Sequence, residues 1–187
     1  MFEAFLIAAA LAAAPAPAGA QGAAKPAAAA EPAPKPVASA DLKDASGASV
    51  GTATIFEGPG GLLMRIEASG IPSGWHGVHF HEKGVCTGPD FASAGAHIKA
   101  GDHLHGLLNP KGHEAGDLPN LFADGGGRVE MAVWSNSVSI KGAEGRPALL
   151  DADGSAVVIH ANPDDQHNQP TGNSGGRIVC GVLKAAG

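Results

Sequence analysis

The apolar positions of this chain fall in short segments between Gly-rich turns rather than in helical stripes. Beyond residue 36, apolar-rich segments recur at 37–42, 50–56, 62–67, 75–82, 128–133, 156–161 and 177–183; some alternate with polar residues, as at 38–42, and others are continuously apolar, as at 156–159. A period of two sets every second side chain on one face of an extended strand. Gly58-Pro59-Gly60-Gly61, Asp124-Gly125-Gly126-Gly127 and Asp153-Gly154 punctuate the runs, and such sequences form tight turns. No window of ten or more residues after the N-terminal segment carries clean helical periodicity. The pattern predicts an all-β domain, a sandwich or a barrel. No internal repeat is visible.

Two segments lack the alternation. Residues 86–121 hold His97, His103, His105, His113, Glu114 and Asp117. Residues 162–176 hold Asp164, Asp165 and His167 among three glycines and two prolines. Loops of this length in a compact domain are usually functional or disordered. The density of metal-ligand chemistry in the first, and Cys86 at its start, predict an ordered, metal-braced loop.

The N-terminus reads differently. Phe5 to Ala14 is an apolar run, and Ala18-Gly19-Ala20 follows it as a small-residue cleavage signal. Residues 1–20 are therefore expected to be the signal peptide of an exported, periplasmic protein, although Glu3 is present and no Lys or Arg precedes the run. The stretch is short for a membrane span. Residues 21–37 are rich in Ala and Pro and lack the large apolar side chains that offset ordering entropy, so they read as an extended tether. The remainder, residues 38–187, suffices for one domain with a full core.

Charge excludes some partners. The net charge of −6 becomes −5 when residues 1–20, with one acid and no base, are removed. With no basic run and only 4% aromatics, nothing points to nucleic acid. An acidic domain acting on an anion needs a local positive site. The two cysteines, Cys86 and Cys180, are too far apart for a redox pair, and in an exported chain a disulfide is the default.

Histidine changes the picture most. The chain has nine histidines and no tyrosine. On the 75–82 strand, Val78 and Phe80 should enter a core, while His79 and His81 point outward together. Two imidazoles on one side of a rigid strand are half of a metal site. His160 ends another apolar strand, and His97 lies in the first long loop. Imidazole suits copper and zinc. His105, His113, Glu114 and Asp117 form a second group, and its mixture of carboxylate and imidazole suits zinc. His76, His103 and His167 read as solvated surface histidines.

The order and spacing of several pieces carry a resemblance. Gly77-Val78-His79-Phe80-His81, Ser93-Ala94-Gly95-Ala96-His97, His105-Gly106, Gly116-Asp117-Leu118-Pro119-Asn120, His160 and Gly172-Asn173-Ser174-Gly175-Gly176-Arg177-Ile178-Val179-Cys180-Gly181-Val182 are similar to copper–zinc superoxide dismutase of the exported bacterial type. The resemblance runs from about residue 38 to 185. It implies an eight-stranded Greek-key β-barrel or sandwich of immunoglobulin-like architecture with two long functional loops. Carried over by position, copper would be held by His79, His81, His97 and His160. His97 would be shared with zinc, which His105 and Asp117 would also hold. Cys86 and Cys180 would form the intrachain disulfide. Arg177 would receive the anionic substrate, and Asp164 would link His79 to His105.

The resemblance breaks at one ligand. The family's third zinc histidine falls in register on Glu114, with His113 one residue early. Register favours Glu114. Charge favours His113, whose neutral ring leaves the site less negative than a second carboxylate. A weakened or empty zinc site is the third outcome. A second departure is Ile98-Lys99-Ala100-Gly101-Asp102, which replaces the family's Phe/Tyr-Asn/Asp-Pro turn.

The implied reaction is disproportionation of superoxide to dioxygen and hydrogen peroxide, with one copper and one zinc per subunit. A copper-only dismutase and a periplasmic copper-binding protein are the alternatives. Copper carriers favour methionine and cysteine ligands, and the three methionines here do not cluster near the histidines. The family includes monomers and homodimers, and the sequence does not choose between them.

Overall fold

In the first strand, Ala38, Ala40 and Leu42 are buried while Ser39, Asp41 and Lys43 face solvent, as the alternation requires. The computed structural model describes residues 32–143 and 145–187. The expected signal peptide and residues 21–31 of the expected tether lie outside them.

The strands are β1 (Ala38–Asp44), β2 (Ser49–Gly58), β3 (Gly61–Ala68), β4 (Gly74–His76), β5 (Val78–His81), β6 (Leu121–Ala123), β7 (Val129–Ser135), β8 (Ala156–His160), β9 (Arg177–Val182) and β10 (Lys184–Ala185). No α-helix occurs among the described residues, only a single 3-10 turn at Ala92–Ala94. The long sheet runs β5-β8-β9-β1-β2-β3-β7, with β10 paired to β1, and β4 pairs with β6 in a second, short ladder. β6 returns into β7 through a turn in which the Asp124 N–H donates to the Arg128 carbonyl at 2.9 Å. β4 runs into β5 at Gly77. The short ladder thus lies between the two ends of the long sheet, which curls into a barrel-like sandwich. The β3–β4 and β7–β8 connections pass over neighbouring strands, which is Greek-key connectivity.

Register sets the core. Ile55 faces Met64, and Met64 faces Val133, so one inward row crosses three strands. Leu42, Leu62, Ile66, Phe80, Leu118, Leu121, Leu149 and Ile159 complete a continuous apolar interior. Each such side chain contributes roughly 1.5–3 kcal/mol through burial.

The expected strand 75–82 is two strands. Gly77 separates them: its N–H donates to the Asn162 carbonyl at 2.8 Å, and its own carbonyl accepts from the His160 N–H at 2.8 Å. A Cβ here would lie 2.9 Å from the Ser174 side chain. β6 and β10, of three and two residues, were too short to register as alternation.

Candidate metal centre

β5 is an end strand of the long sheet, and its position creates the site. One edge pairs with β8, Val78 facing Ile159 and Phe80 facing Val157. The other edge is covered by two pieces of the long loop rather than by a strand. The Ile98 N–H donates to the Phe80 carbonyl at 3.0 Å, and the Phe80 N–H donates to the Gly116 carbonyl at 2.9 Å. These contacts set His97 opposite His81 and Asp117 opposite His79. His160 joins them from the end of β8, next to Gly77. Alternation correctly puts Val78 and Phe80 in the core. The opposite face is not outward, however: His79 and His81 are 0% and 1% exposed, because the loops roof it.

The buried polar atoms divide into two groups. His79 Nε2 donates to Asp164 Oδ2 at 2.8 Å, His81 Nδ1 to the Gly95 carbonyl at 3.0 Å, and His160 Nδ1 to the Gly175 carbonyl at 3.1 Å. Each acceptor fixes the tautomer, so the other nitrogen of each neutral ring presents a lone pair. Those nitrogens, His79 Nδ1, His81 Nε2 and His160 Nε2, are buried without a hydrogen-bond partner, and so is His97 Nε2. One ligand atom from each of these four histidines lies within 4.8 Å of the others. Unpaired buried polar groups are costly, and a borderline cation of the kind imidazole suits accounts for all four at once. Burial lowers the pKa of His79 to about 4, of His81 to about 2 and of His160 to about 3. All three rings are neutral at physiological pH, as metal ligation requires.

The second group mixes imidazole with carboxylate. His105 Nδ1 lies 2.8 Å from Asp117 Oδ1, and His97 Nδ1 lies 3.0 Å from Glu114 Oε2 and 3.5 Å from Asp117 Oδ1. Glu114 Oε2 is 3.8 Å from His105 Nδ1. Burial opposes a charged ring at both histidines, but the carboxylates outweigh it, so His97 is raised and His105 rises to about 10. For Asp117 and Glu114 burial pushes upward, yet the facing histidines win and both are lowered. His79 is also within reach of this group, but Asp164 occupies its Nε2 and its free Nδ1 belongs to the first.

Adjacent residues in the loop point in opposite directions. Glu114 turns inward and is buried, whereas His113 is half-buried and its Nδ1 donates to the Glu114 carbonyl at 2.8 Å. Of the two candidates for the fourth place, Glu114 is the one whose side chain faces the rings of His97 and His105. The charge objection to Glu114 is met by Lys99, whose Nζ lies 3.0 Å from Oε1. Lys99 was not among the sequence-selected residues, although its place in the second departing segment was a signal.

Asp164 joins the two groups. Its carboxylate accepts from His79 Nε2, and His105 Nε2 stands 3.1 Å from it. Asn120 clamps it in place: Asn120 Nδ2 donates to the Asp164 carbonyl at 2.7 Å, and the Asp164 N–H donates to Asn120 Oδ1 at 2.8 Å. Gly172 stands against the same carboxylate at φ +57°, where a Cβ would lie 1.7 Å from Oδ1. Neither Asn120 nor Gly172 could be assigned this role from a pattern, because both contacts join distant loops.

Arg177 opens β9 and is the register partner of His160. Its Nη1 donates to the Phe91 carbonyl at 2.7 Å and its Nη2 to the Gly95 carbonyl at 2.6 Å. The Gly95 carbonyl thus holds both Arg177 and His81. The Cys86–Cys180 disulfide is present, with Cα atoms 5.7 Å apart, and ties the start of the same loop to β9. His103 and His167 are exposed, as expected. His76 is not: it is buried, with Nδ1 2.8 Å from the His160 carbonyl and Nε2 2.7 Å from the Pro72 carbonyl.

Fold and site together define a Greek-key β protein with an all-histidine metal group and a mixed carboxylate–histidine group sharing His97. Residues 49–183 match the family model for copper/zinc superoxide dismutase. The chain is 53% identical over 148 residues to the copper–zinc superoxide dismutase of Caulobacter vibrioides, covering 79% of this chain and 85% of that one. A superoxide dismutase-like protein from Bacillus subtilis has a similar crystal structure, with a TM-score of 0.74 and 42% identity over 78% of this chain and 97% of that one. The copper/zinc superoxide dismutase of Brucella abortus is similar at a TM-score of 0.63 and 29% identity, covering 78% of this chain and 98% of that one. The chain belongs to the copper/zinc superoxide dismutase family. It is an oxidoreductase that disproportionates superoxide, with copper and zinc as cofactors.

Proposed function

We propose that His79, His81, His97 and His160 hold the copper, and that His97, His105, Asp117 and Glu114 hold the zinc. The observation that carries the copper assignment is the convergence of four buried, unpartnered ring nitrogens, three of them in tautomers set by their other nitrogen. The zinc assignment rests on the carboxylates that face the Nδ1 atoms of His97 and His105. Four N and O ligands match the preference of zinc for a closed tetrahedral set.

Copper, when bound, supplies the one-electron couple by which one superoxide is oxidised to dioxygen and the next, with two protons, is reduced to hydrogen peroxide. The residues supply the rest. His97 Nε2 is the atom that can hold a proton when it is not engaged as a ligand, while its Nδ1 stays in the carboxylate group. Arg177 spends one N–H of each terminal nitrogen on a carbonyl and keeps others for the anion. Its fixed, half-buried charge makes a positive point in a chain of net charge −6. Asp164 keeps the rings of His79 and His105 oriented.

Residues 1–20 direct export to the periplasm in this reading, and oxidation of Cys86 and Cys180 fits that compartment. Among the described residues no helix is long and apolar enough to cross a membrane. The test is metal content and superoxide turnover of the purified mature chain, with its N-terminus determined by mass spectrometry. One copper and one zinc per chain with turnover is the expected result. Copper and turnover without zinc would replace this assignment with the copper-only reading.

A further inference from the structure

The two segments that depart from the family pattern meet in the fold. Lys99 Nζ lies 3.0 Å from Glu114 Oε1, while Glu114 Oε2 faces His97 Nδ1 at 3.0 Å. The Glu114 side chain is 5% exposed and that of Lys99 is 55% exposed, so a surface ammonium reaches in to a buried carboxylate. Among the described residues no other lysine or arginine pairs with a carboxylate of the site. Asp117 is held by His105 and by the N–H groups of Gly106 and Glu114. Asp164 is held by His79, His105 and the N–H of Gln166.

We infer that Lys99 and Glu114 are a matched pair, in which Glu114 is an anionic zinc ligand in the place of an imidazole and Lys99 is a positioning residue that holds its second oxygen and offsets the charge it adds. The inference rests on the proposed role of Glu114 as the fourth zinc ligand. Charge supplies the first reason. Zinc with three imidazoles and one carboxylate carries a net single positive charge. Exchanging one imidazole for Glu114 makes the set neutral, and the Lys99 ammonium restores the positive charge.

Orientation supplies the second reason. Before a cation arrives, the carboxylates of Glu114 and Asp117 share one buried space and repel. A charge-assisted hydrogen bond to Oε1 fixes the Glu114 rotamer and leaves Oε2 aimed inward. Lys99 lies two residues after His97, so the segment that delivers the shared ring also delivers the cation that holds its neighbour.

The test is zinc affinity of the copper-free mature protein by competition with a chromophoric chelator, with the visible spectrum of the cobalt-substituted site as a second readout. Glu114→Ala should weaken zinc binding by about 10–100-fold, the usual range for disturbed metal-site groups. Glu114→His alone confronts the ammonium with a ring that has no oxygen to offer, and should weaken binding by about tenfold or more. Adding Lys99→Met to Glu114→His should recover most of that loss. Lys99→Met alone should weaken binding several-fold and alter the cobalt spectrum, whereas Lys99→Arg should preserve both. The pairing is overturned if Glu114→His binds zinc equally well with lysine or methionine at position 99. It is also overturned if Lys99→Met changes neither readout while Glu114→Ala still costs affinity. If Glu114→Ala binds zinc as the unaltered chain does, the ligand assignment beneath the pairing is what fails.

Discussion

In the proposed assignment Arg177 and Asp164 act on the site without being ligands, and their substitutions should separate. Arg177→Ala removes a guanidinium held by the Phe91 and Gly95 carbonyls, not a ligand. Superoxide turnover should fall by about 10–10³-fold, the span of electrostatic focusing, with copper content retained. Arg177→Lys should lose less, since charge persists while the fork is lost. Pulse radiolysis across ionic strength, with metal analysis, measures both; an undiminished salt dependence in the alanine variant would remove the focusing role. Asp164→Asn should instead loosen both metals. A carboxylate accepts from His79 and His105 together, but an amide must turn its NH2 toward one of two donors. A drop of about 10–100-fold in affinity for each metal is expected, read by chelator competition.

At the scale of elements, the disulfide couples the first long loop to β9. Cys86 begins the segment whose Phe91 and Gly95 carbonyls hold Arg177, and Cys180 lies on the strand that Arg177 opens. The bridge spans a sequence separation of 94 residues, for which the chain-entropy model assigns about 4–5 kcal/mol. Reduction should lower the thermal midpoint and accelerate amide exchange around residues 91–97 before it affects β2 and β3. Exchange and calorimetry on reduced and oxidised protein make the comparison. β1, β2 and β3 were legible because each has one face in the core, whereas β8, buried along its whole length, was legible as a continuous apolar run. β4 and β5 were read as one strand, since the break at Gly77 depends on Asn162 and Ser174, far away in the chain.

For the molecule as a whole, the metal-free protein should be most stable near pH 6.5–7. His79, His81 and His160 have folded pKa values of about 4, 2 and 3, below the ordinary value of 6.5. Below pH 6.5 the unfolded chain therefore binds protons that the fold refuses, and stability falls. His105 works in the other direction: raised to about 10, it contributes fully below 6.5 and progressively less as pH rises towards 10. Thermal unfolding of chelator-treated protein from pH 4 to 10 should give a maximum between these slopes. A midpoint that rises steadily to pH 10 would contradict the balance.

The sequence alone determined the all-β class and most of the strands, because strand patterning is local; the histidines of both groups, Arg177, Asp164 and the two cysteines were selected by ordered motifs and the family resemblance that they carry. It did not determine that the histidine face of β5 is enclosed, since alternation distinguishes two faces of a strand but not what covers the second. Nor could it choose between His113 and Glu114. Adjacent residues on an irregular loop have no periodicity to orient them, and the sign of the charge argument depended on Lys99. What tertiary structure decided is which side chain turns inward: the loop docks on the free edge of β5, Glu114 faces the buried histidines, and an ammonium fifteen residues earlier in the chain meets its outer oxygen.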